Sequence, residues 1–183
     1  VWGIARFSKP ESRKRVEAIG LTTRVVDLAA PDLSEVPDDF DYVLHLAASI
    51  VDGYDADTAI RINAEGTGEL MSYFRNARSF LVMSSCAVYG SPEEGEYEVS
   101  EGFEYGGSPQ PYSSTYSVSK FAEEAVARFA AREFDLPTTI ARMNVAYGDN
   151  GGLPAMLLDT ILAGKPIALR PGRSSICSPI HED

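Results

Sequence analysis

The chain has 183 residues, 44% of them hydrophobic, which suits one domain with a real core, since domains typically run about 100–200 residues. A formal charge of −11 opposes nucleic-acid or anionic-membrane partners, and the short Ser12-Arg13-Lys14-Arg15 cluster is too small to reverse it. No apolar run approaches the roughly 20 residues that cross a bilayer, no secretory leader opens the chain, and Cys86 and Cys177 lack metal spacing, so a cytoplasmic protein with reduced thiols and no metal site is expected.

In chain order, a strand is predicted from Val1 to Phe7 and a helix from Pro10 to Ile19, closed by Gly20. Strands follow at Thr23 to Asp27 and Tyr42 to Leu46, then a helix at Ala56 to Asn76 and a strand at Phe80 to Ser84. The stretch from Ser91 to Ser114 is polar, rich in Gly and Pro, and too long for an ordinary connection, which marks a functional loop. A helix at Ser114 to Phe134, a strand at Thr138 to Met143, a helix at Leu153 to Ala163 closed by Gly164, and a strand at Pro166 to Leu169 complete the pattern. Alternating strands and helices predict an α/β fold with a parallel sheet. "VLHLAA" and "FLVMSS" are nearly continuous apolar runs, as expected of strands covered on both faces.

In open α/β sheets, ligands bind beyond the carboxyl ends of the strands. Those ends carry Ala5-Arg6, Asp27-Leu28, Ala47-Ala48, Ser84-Ser85 and Met143-Asn144, small or polar residues that suit either a shared pocket or ordinary turn chemistry. Tyr116 and Lys120, four apart on a helix, share one face with Cβ atoms about 5–6 Å apart. Taken alone, that spacing is common by chance and reads first as a surface pair.

The ordered set "VVDL", "HLAA", "NAEGT", "SSCAVYG", "YSVSK" and "RMNVAYG", ending in "PIHED", resembles the extended short-chain dehydrogenase/reductase family, the NAD-dependent epimerase/dehydratase group, over essentially the whole chain. The resemblance implies a Rossmann-like doubly wound parallel sheet, with residues 1–152 a partial NAD(P)-binding domain and 153–183 the start of a substrate-binding region. Asp27 and Leu28 would lie beside the adenine, and Leu46, Ala47 and Ala48 along the cofactor groove, with Ser84 and Met143 also lining it. Asn63 would hold a strand end, Ser85 would face the substrate oxygen, and Tyr116 and Lys120 would be the catalytic pair, also contacting cofactor. Cys86 and Asn144 would meet a small-molecule substrate. His45 reads as a packed strand residue, and Tyr89 as one that fixes a loop.

A phenol near pKa 10 is a poor base at neutral pH, and bringing it to about 7 takes roughly 4 kcal/mol of phenolate stabilisation. An ammonium about 4 Å away supplies about that much at an effective dielectric near 20. The implied function is an NAD(P)-dependent epimerase or reductase acting on a secondary alcohol or ketone, with nucleotide sugars among the candidates. The alternative is a non-catalytic dinucleotide-binding sensor or scaffold; such modules usually lose the Tyr or the Lys, and both stand here. The Ser114 to Phe134 helix resembles one that forms a homodimer seam in relatives, although its apolar positions also suit a core.

Departures from the family pattern narrow these expectations. No G-x-x-G-x-x-G loop precedes "VWGIARFS", so the first strand-turn-helix unit is expected to be missing, together with most of the C-terminal substrate domain. Where NAD-preferring members place Asp, this chain has Ala5 followed by Arg6, Ser8 and Lys9, and an arginine with a nearby lysine suits a 2′-phosphate, which favours NADP over NAD. Cys86 and Ala87 replace the Asp-Glu of the dehydratases, which disfavours dehydration, and Cys177 replaces an arginine that grips the substrate diphosphate, with Arg170 and Arg173 as substitutes. These 183 residues alone are therefore expected to bind NAD⁺ and NADP⁺ weakly or not at all; micromolar binding in isothermal titration would refute this.

Overall fold

The computed structural model describes residues 1–50, 55–90, 99–106, 115–149, 151–167 and 180–181. Strand β1 (Trp2–Ala5) leads to helix α1 (Pro10–Ala18) and strand β2 (Thr22–Val25); strand β3 (Tyr42–His45) follows. Helix α2 (Ala56–Ile60) runs through a π-helical turn (Arg61–Glu65) into helix α3 (Gly66–Tyr73), so the predicted helix forms as one run with a widened turn in its middle. Strand β4 (Ser79–Ser85) ends in a 3-10 turn (Cys86–Val88); helix α4 (Tyr116–Glu133) and strand β5 (Thr138–Met143) follow. Strands β6 (Ala146–Gly148) and β7 (Gly151–Gly152), helix α5 (Leu153–Leu162) and strand β8 (Ile180–His181) close the order.

β1 pairs with β2, and β3, β4 and β5 pair in that order, all in parallel. β6 pairs antiparallel with β7 and parallel with β8. The architecture is mixed α/β with a Rossmann-like parallel arrangement, as the alternating sequence pattern implies. The short strands β6 to β8 escape prediction because two or three residues carry no readable period. Residues 166–167 of the predicted last strand are neither helix nor strand, and 168–169 lie outside the described residues. β1 stops at Ala5, two residues before Phe7, which takes a positive φ of 45° that an extended strand cannot hold.

The core gathers Phe80 and Val82 of β4, Leu70 and Met71 of α3, Phe74, and Ala127 and Ala130 of α4. Burial along β4 alternates, with Phe80, Val82 and Ser84 inside and Leu81, Met83 and Ser85 half-buried. On β3, Leu44 is exposed. The continuous apolar runs are thus fully covered on one face only among the described residues. α4 buries Ser117, Lys120, Glu123, Glu124, Ala127 and Ala130, and exposes Val118, Phe121 and Phe129 on its opposite side. Its large apolar residues therefore do not supply the core; small and charged ones do.

Gly66 fixes how closely α3 approaches the loop after β2. A Cβ there would stand 2.9 Å from the Leu28 carbonyl oxygen and 3.0 Å from its Cβ. That backbone contact brings the Asp27-Leu28 turn against the helix that carries Asn63 and Thr67.

Candidate active site

Helix α4 is tied at its first turns to the carboxyl end of β4. Lys120 Nζ donates to the Met83 carbonyl at 2.9 Å, and the ammonium stands 2.6 Å from Glu123 Oε2, both side chains being fully buried. One turn along, Glu124 Oε1 accepts from Ser84 Oγ at 2.7 Å and from Arg142 Nε at 2.8 Å, while its Oε2 accepts from Arg142 Nη2 at 2.8 Å and from Arg128 at 3.3 Å. Arg142 lies over the rings of Tyr89 and Tyr105, 4.7 and 4.9 Å from their centroids. This fork joins α4, β4 and β5 through one carboxylate. Burial pushes the Glu124 carboxyl up, but hydrogen bonds from Arg142 and Ser84 outweigh it and leave the group below its ordinary value.

A second tie runs through the π turn. Asn63 Oδ1 accepts from Ser49 N at 2.7 Å, and its Nδ2 donates to the Ser49 carbonyl at 3.0 Å and to Ser119 Oγ at 2.9 Å. Ser119 Oγ in turn donates to the Tyr116 carbonyl at 2.8 Å. The loop after β3 and the first turn of α4 are thereby held by one amide. π turns of this kind concentrate at functional sites.

His45, buried on β3, has its Nε2 2.8 Å from Thr67 Oγ1 and 3.6 Å from Glu123 Oε1. Burial, and then the Lys120 charge, push its imidazole down to about 4, so it is neutral at physiological pH. Burial pushes Glu123 the other way, up to about 7, against the pull of Lys120.

The remaining sequence candidates sit around this frame. Ser85 caps the 3-10 turn, its Oγ accepting from Ala87 N at 3.1 Å, and Tyr116 opens α4, partly buried. Ser84 is turned inward to Glu124. Cys86 Sγ contacts the Arg142 carbonyl at 3.4 Å, and burial raises its thiol although Arg142 opposes. Asn144 Oδ1 accepts from Val145 N at 2.8 Å. Leu46, Ala47 and Ala48 are exposed after β3, Met143 at the end of β5 is 41% exposed, Arg6 is exposed after β1, and exposed Asp27 accepts from Ala29 N at 2.9 Å. The structure therefore ties Ser84 to α4 through Glu124, Asn63 to the Tyr116 carbonyl through Ser119, and Lys120 to β4 through the Met83 carbonyl, with Ser85 one residue beyond Ser84. Sequence reasoning missed Thr67, Ser119, Glu123, Glu124 and Arg142. The signal for the two glutamates was their spacing of three and four from Lys120, on the helix face that carries it.

A separate concavity of about 290 Å³, lined by Arg13, Arg24, Asp32 and Glu35 among others, shares no residue with this frame. Among the described residues there is no His/Cys/Asp/Glu group fit to hold a metal, and no helix long and apolar enough to cross a membrane.

A sequence model of the NAD dependent epimerase/dehydratase family matches residues 1–175, and the chain belongs to that family. It is 32% identical over 162 residues to a probable dTDP-glucose 4,6-dehydratase of Sinorhizobium fredii, covering 78% of this chain and 44% of that protein. The fold is similar to UDP-glucuronic acid 4-epimerase from Bacillus cereus, solved with NAD and a fluorinated UDP-sugar, at a TM-score of 0.80 and 23% identity over 99% of this chain and 60% of that one. It is also similar to UDP-N-acetylglucosamine 4-epimerase from Methanobrevibacter ruminantium, at a TM-score of 0.77 and 22% identity over 99% of this chain and 61% of that one. The chain thus spans less than half the length of the curated relative and about 60% of the two solved structures.

Two buried groups give opposite pH signatures. His45, lowered from 6.5 to about 4, makes stability fall as pH drops through that window, because the unfolded chain binds the extra proton. Glu123, raised from 4.5 to about 7, makes stability fall as pH rises through its own window, because the folded chain holds the proton. In thermal melts, His45→Asn should therefore become more stable relative to the parent as pH falls from 6.5 toward 4, and Glu123→Gln more stable as pH rises from 4.5 toward 7, by up to about 1.4 kcal/mol per pH unit. Parallel curves for parent and variants would show that neither group titrates as the burial requires.

Proposed function

We propose that this chain is the cofactor-binding part of an NAD(P)-dependent epimerase or reductase that acts on a secondary alcohol or ketone, with a nucleotide sugar as the substrate class. The observation that carries the reading is the attachment of the Tyr116/Lys120 helix turn to the carboxyl end of β4: Lys120 Nζ bonds the Met83 carbonyl, two residues before Ser85. Relatives named as UDP-sugar epimerases and a dTDP-glucose dehydratase support the substrate class.

Two features support a dinucleotide site at the strand ends. Gly66 lets α3 and the Asp27-Leu28 turn meet without a side chain between them, and Leu46 and Met143 leave apolar surface open at the strand ends. Asp27 and Leu28 would hold the adenine end, and Leu46, Ala47, Ala48 and Met143 would line the groove. The cofactor supplies hydride acceptance and return when bound. Tyr116 removes or restores the substrate hydroxyl proton, Lys120 lowers the proton affinity of that phenol, and Ser85 hydrogen-bonds the substrate oxygen as its charge changes. Asn63 and Ser119 hold the turn that presents Tyr116. Cys86 and Asn144 are the nearest candidates for further substrate contacts. Arg6 and Lys9, both exposed after β1, favour a 2′-phosphate and hence NADP.

In the full-length protein, Tyr116→Phe should lower turnover at least about 100-fold and leave cofactor affinity nearly intact, as loss of a general acid–base does. Unchanged turnover would leave a non-catalytic dinucleotide-binding module as the surviving reading. Arg6→Ala should weaken NADP⁺ binding about tenfold and NAD⁺ binding little in calorimetric titration, and equal losses would remove the NADP preference.

A further inference from the structure

The catalytic reading uses the positive charge of Lys120 but does not account for the second buried charge beside it. Glu123 follows Lys120 by three residues on α4 and is fully buried, with Oε2 2.6 Å from the ammonium. Its other oxygen, Oε1, stands 3.3 Å from Thr67 Oγ1 and 3.6 Å from His45 Nε2. Thr67 has one hydroxyl proton, and its shorter contact is with the Asn63 carbonyl at 2.6 Å. Spent there, that proton is not available to Oε1, which then faces an oxygen lone pair. A carboxyl proton on Glu123 resolves that contact, since the neutral acid can donate to Thr67 Oγ1.

We infer that Glu123 is a positioning residue that sets how much of the Lys120 charge reaches Tyr116: protonated, it leaves the ammonium's field on the phenol intact, and ionised, it cancels much of that field. The inference rests on the reading of Tyr116 and Lys120 as the catalytic pair and assigns to that pair its regulation by proton occupancy. The groups facing Glu123 are consistent with a proton that comes and goes near neutrality. On α4 they are Lys120, which favours the carboxylate, and Glu124, which opposes it but is itself neutralised by Arg142 of β5 and Arg128. On β3 the facing group is His45, neutral and so unable to hold the carboxylate by charge, and on α3 it is the Thr67 hydroxyl. Burial raises Glu123 to about 7, which places the changeover within the working range of pH. The physical consequence is directional. Acidification through that range strengthens the Lys120 field on the phenol, and alkalinisation weakens it.

The test reads Tyr116 itself, without substrate. In the NAD⁺-saturated full-length protein, the ultraviolet tyrosinate titration of the parent minus that of Tyr116→Phe isolates the Tyr116 phenol. Glu123→Gln, which keeps the shape and can donate to Thr67 as the neutral acid does, should move the Tyr116 midpoint to lower pH by at least about one unit, the size expected on removing a nearby like charge from a phenolate. Glu123→Met, uncharged and of similar length, serves as the second variant should the amide fail to fold, and should give a shift of the same sign. A midpoint that stays in place or rises in a folded variant would overturn the inference while leaving the catalytic pair standing. An ordinary phenol midpoint in the parent, together with undiminished turnover in Tyr116→Phe, would remove the pair itself and the inference with it. A carboxylate that served only to pack α4 would change melting temperature without moving the phenol.

Discussion

One carboxylate decides the geometry of this protein. Glu124 accepts two bonds from the Arg142 fork and a third from Ser84, so that α4, β4 and β5 meet at a single buried charge. A buried ion pair is often no more stabilising than well-packed apolar residues, but it is exacting, because each partner left alone would be an uncompensated charge. Rotating α4 by one residue would break three bonds at once. That is why Lys120, one turn earlier on the same face, reaches the Met83 carbonyl.

The same helix face runs against the usual division of inside and outside. Lys120, Glu123 and Glu124 are buried, whereas Val118, Phe121 and Phe129 are exposed. Charged side chains are rarely fully buried unless paired, and here each stands against a partner: Lys120 against the Glu123 carboxyl, and Glu124 against Arg142 and Arg128. The buried face is organised by electrostatics, with Ala127 and Ala130 as its apolar continuation.

Much of this was legible in the residues. Alternating short apolar runs and longer helical patterns located β1 to β5, the run from α2 to α3, α1, α4 and α5; α3, α4 and β4 bury enough residues to show their period, whereas α1 and α5 bury none among the described residues and were marked by the glycines that close them. The Tyr116/Lys120 spacing and the ordered motifs pointed to the family. What could not be read were the partners of charged residues. Glu123 and Glu124 look like the solvated side of an amphipathic helix until β3, β4 and β5 are placed around them. Nor could the exposure of Leu44 be anticipated, since a continuous apolar strand looks the same whether one face or both are covered. Thr67 and His45 were visible only as a helix threonine and a strand histidine, and their meeting depends on the register between β3 and α3.

The π turn from Arg61 to Glu65 carries an implication for how this sequence can vary. A π turn amounts to one residue more than the regular spiral needs, and each residue of an α-helix advances the spiral by roughly 100°. Asn63 and Thr67 each have an obligatory neighbour, Ser119 and His45 respectively, and the Thr67 hydroxyl also bonds back to the Asn63 carbonyl. The supernumerary residue is what reconciles the phase of α2 with that of α3. Length changes anywhere along this run are consequently far less tolerable than substitutions, since trimming a single residue would swing every following side chain around the axis and uncouple both neighbours together.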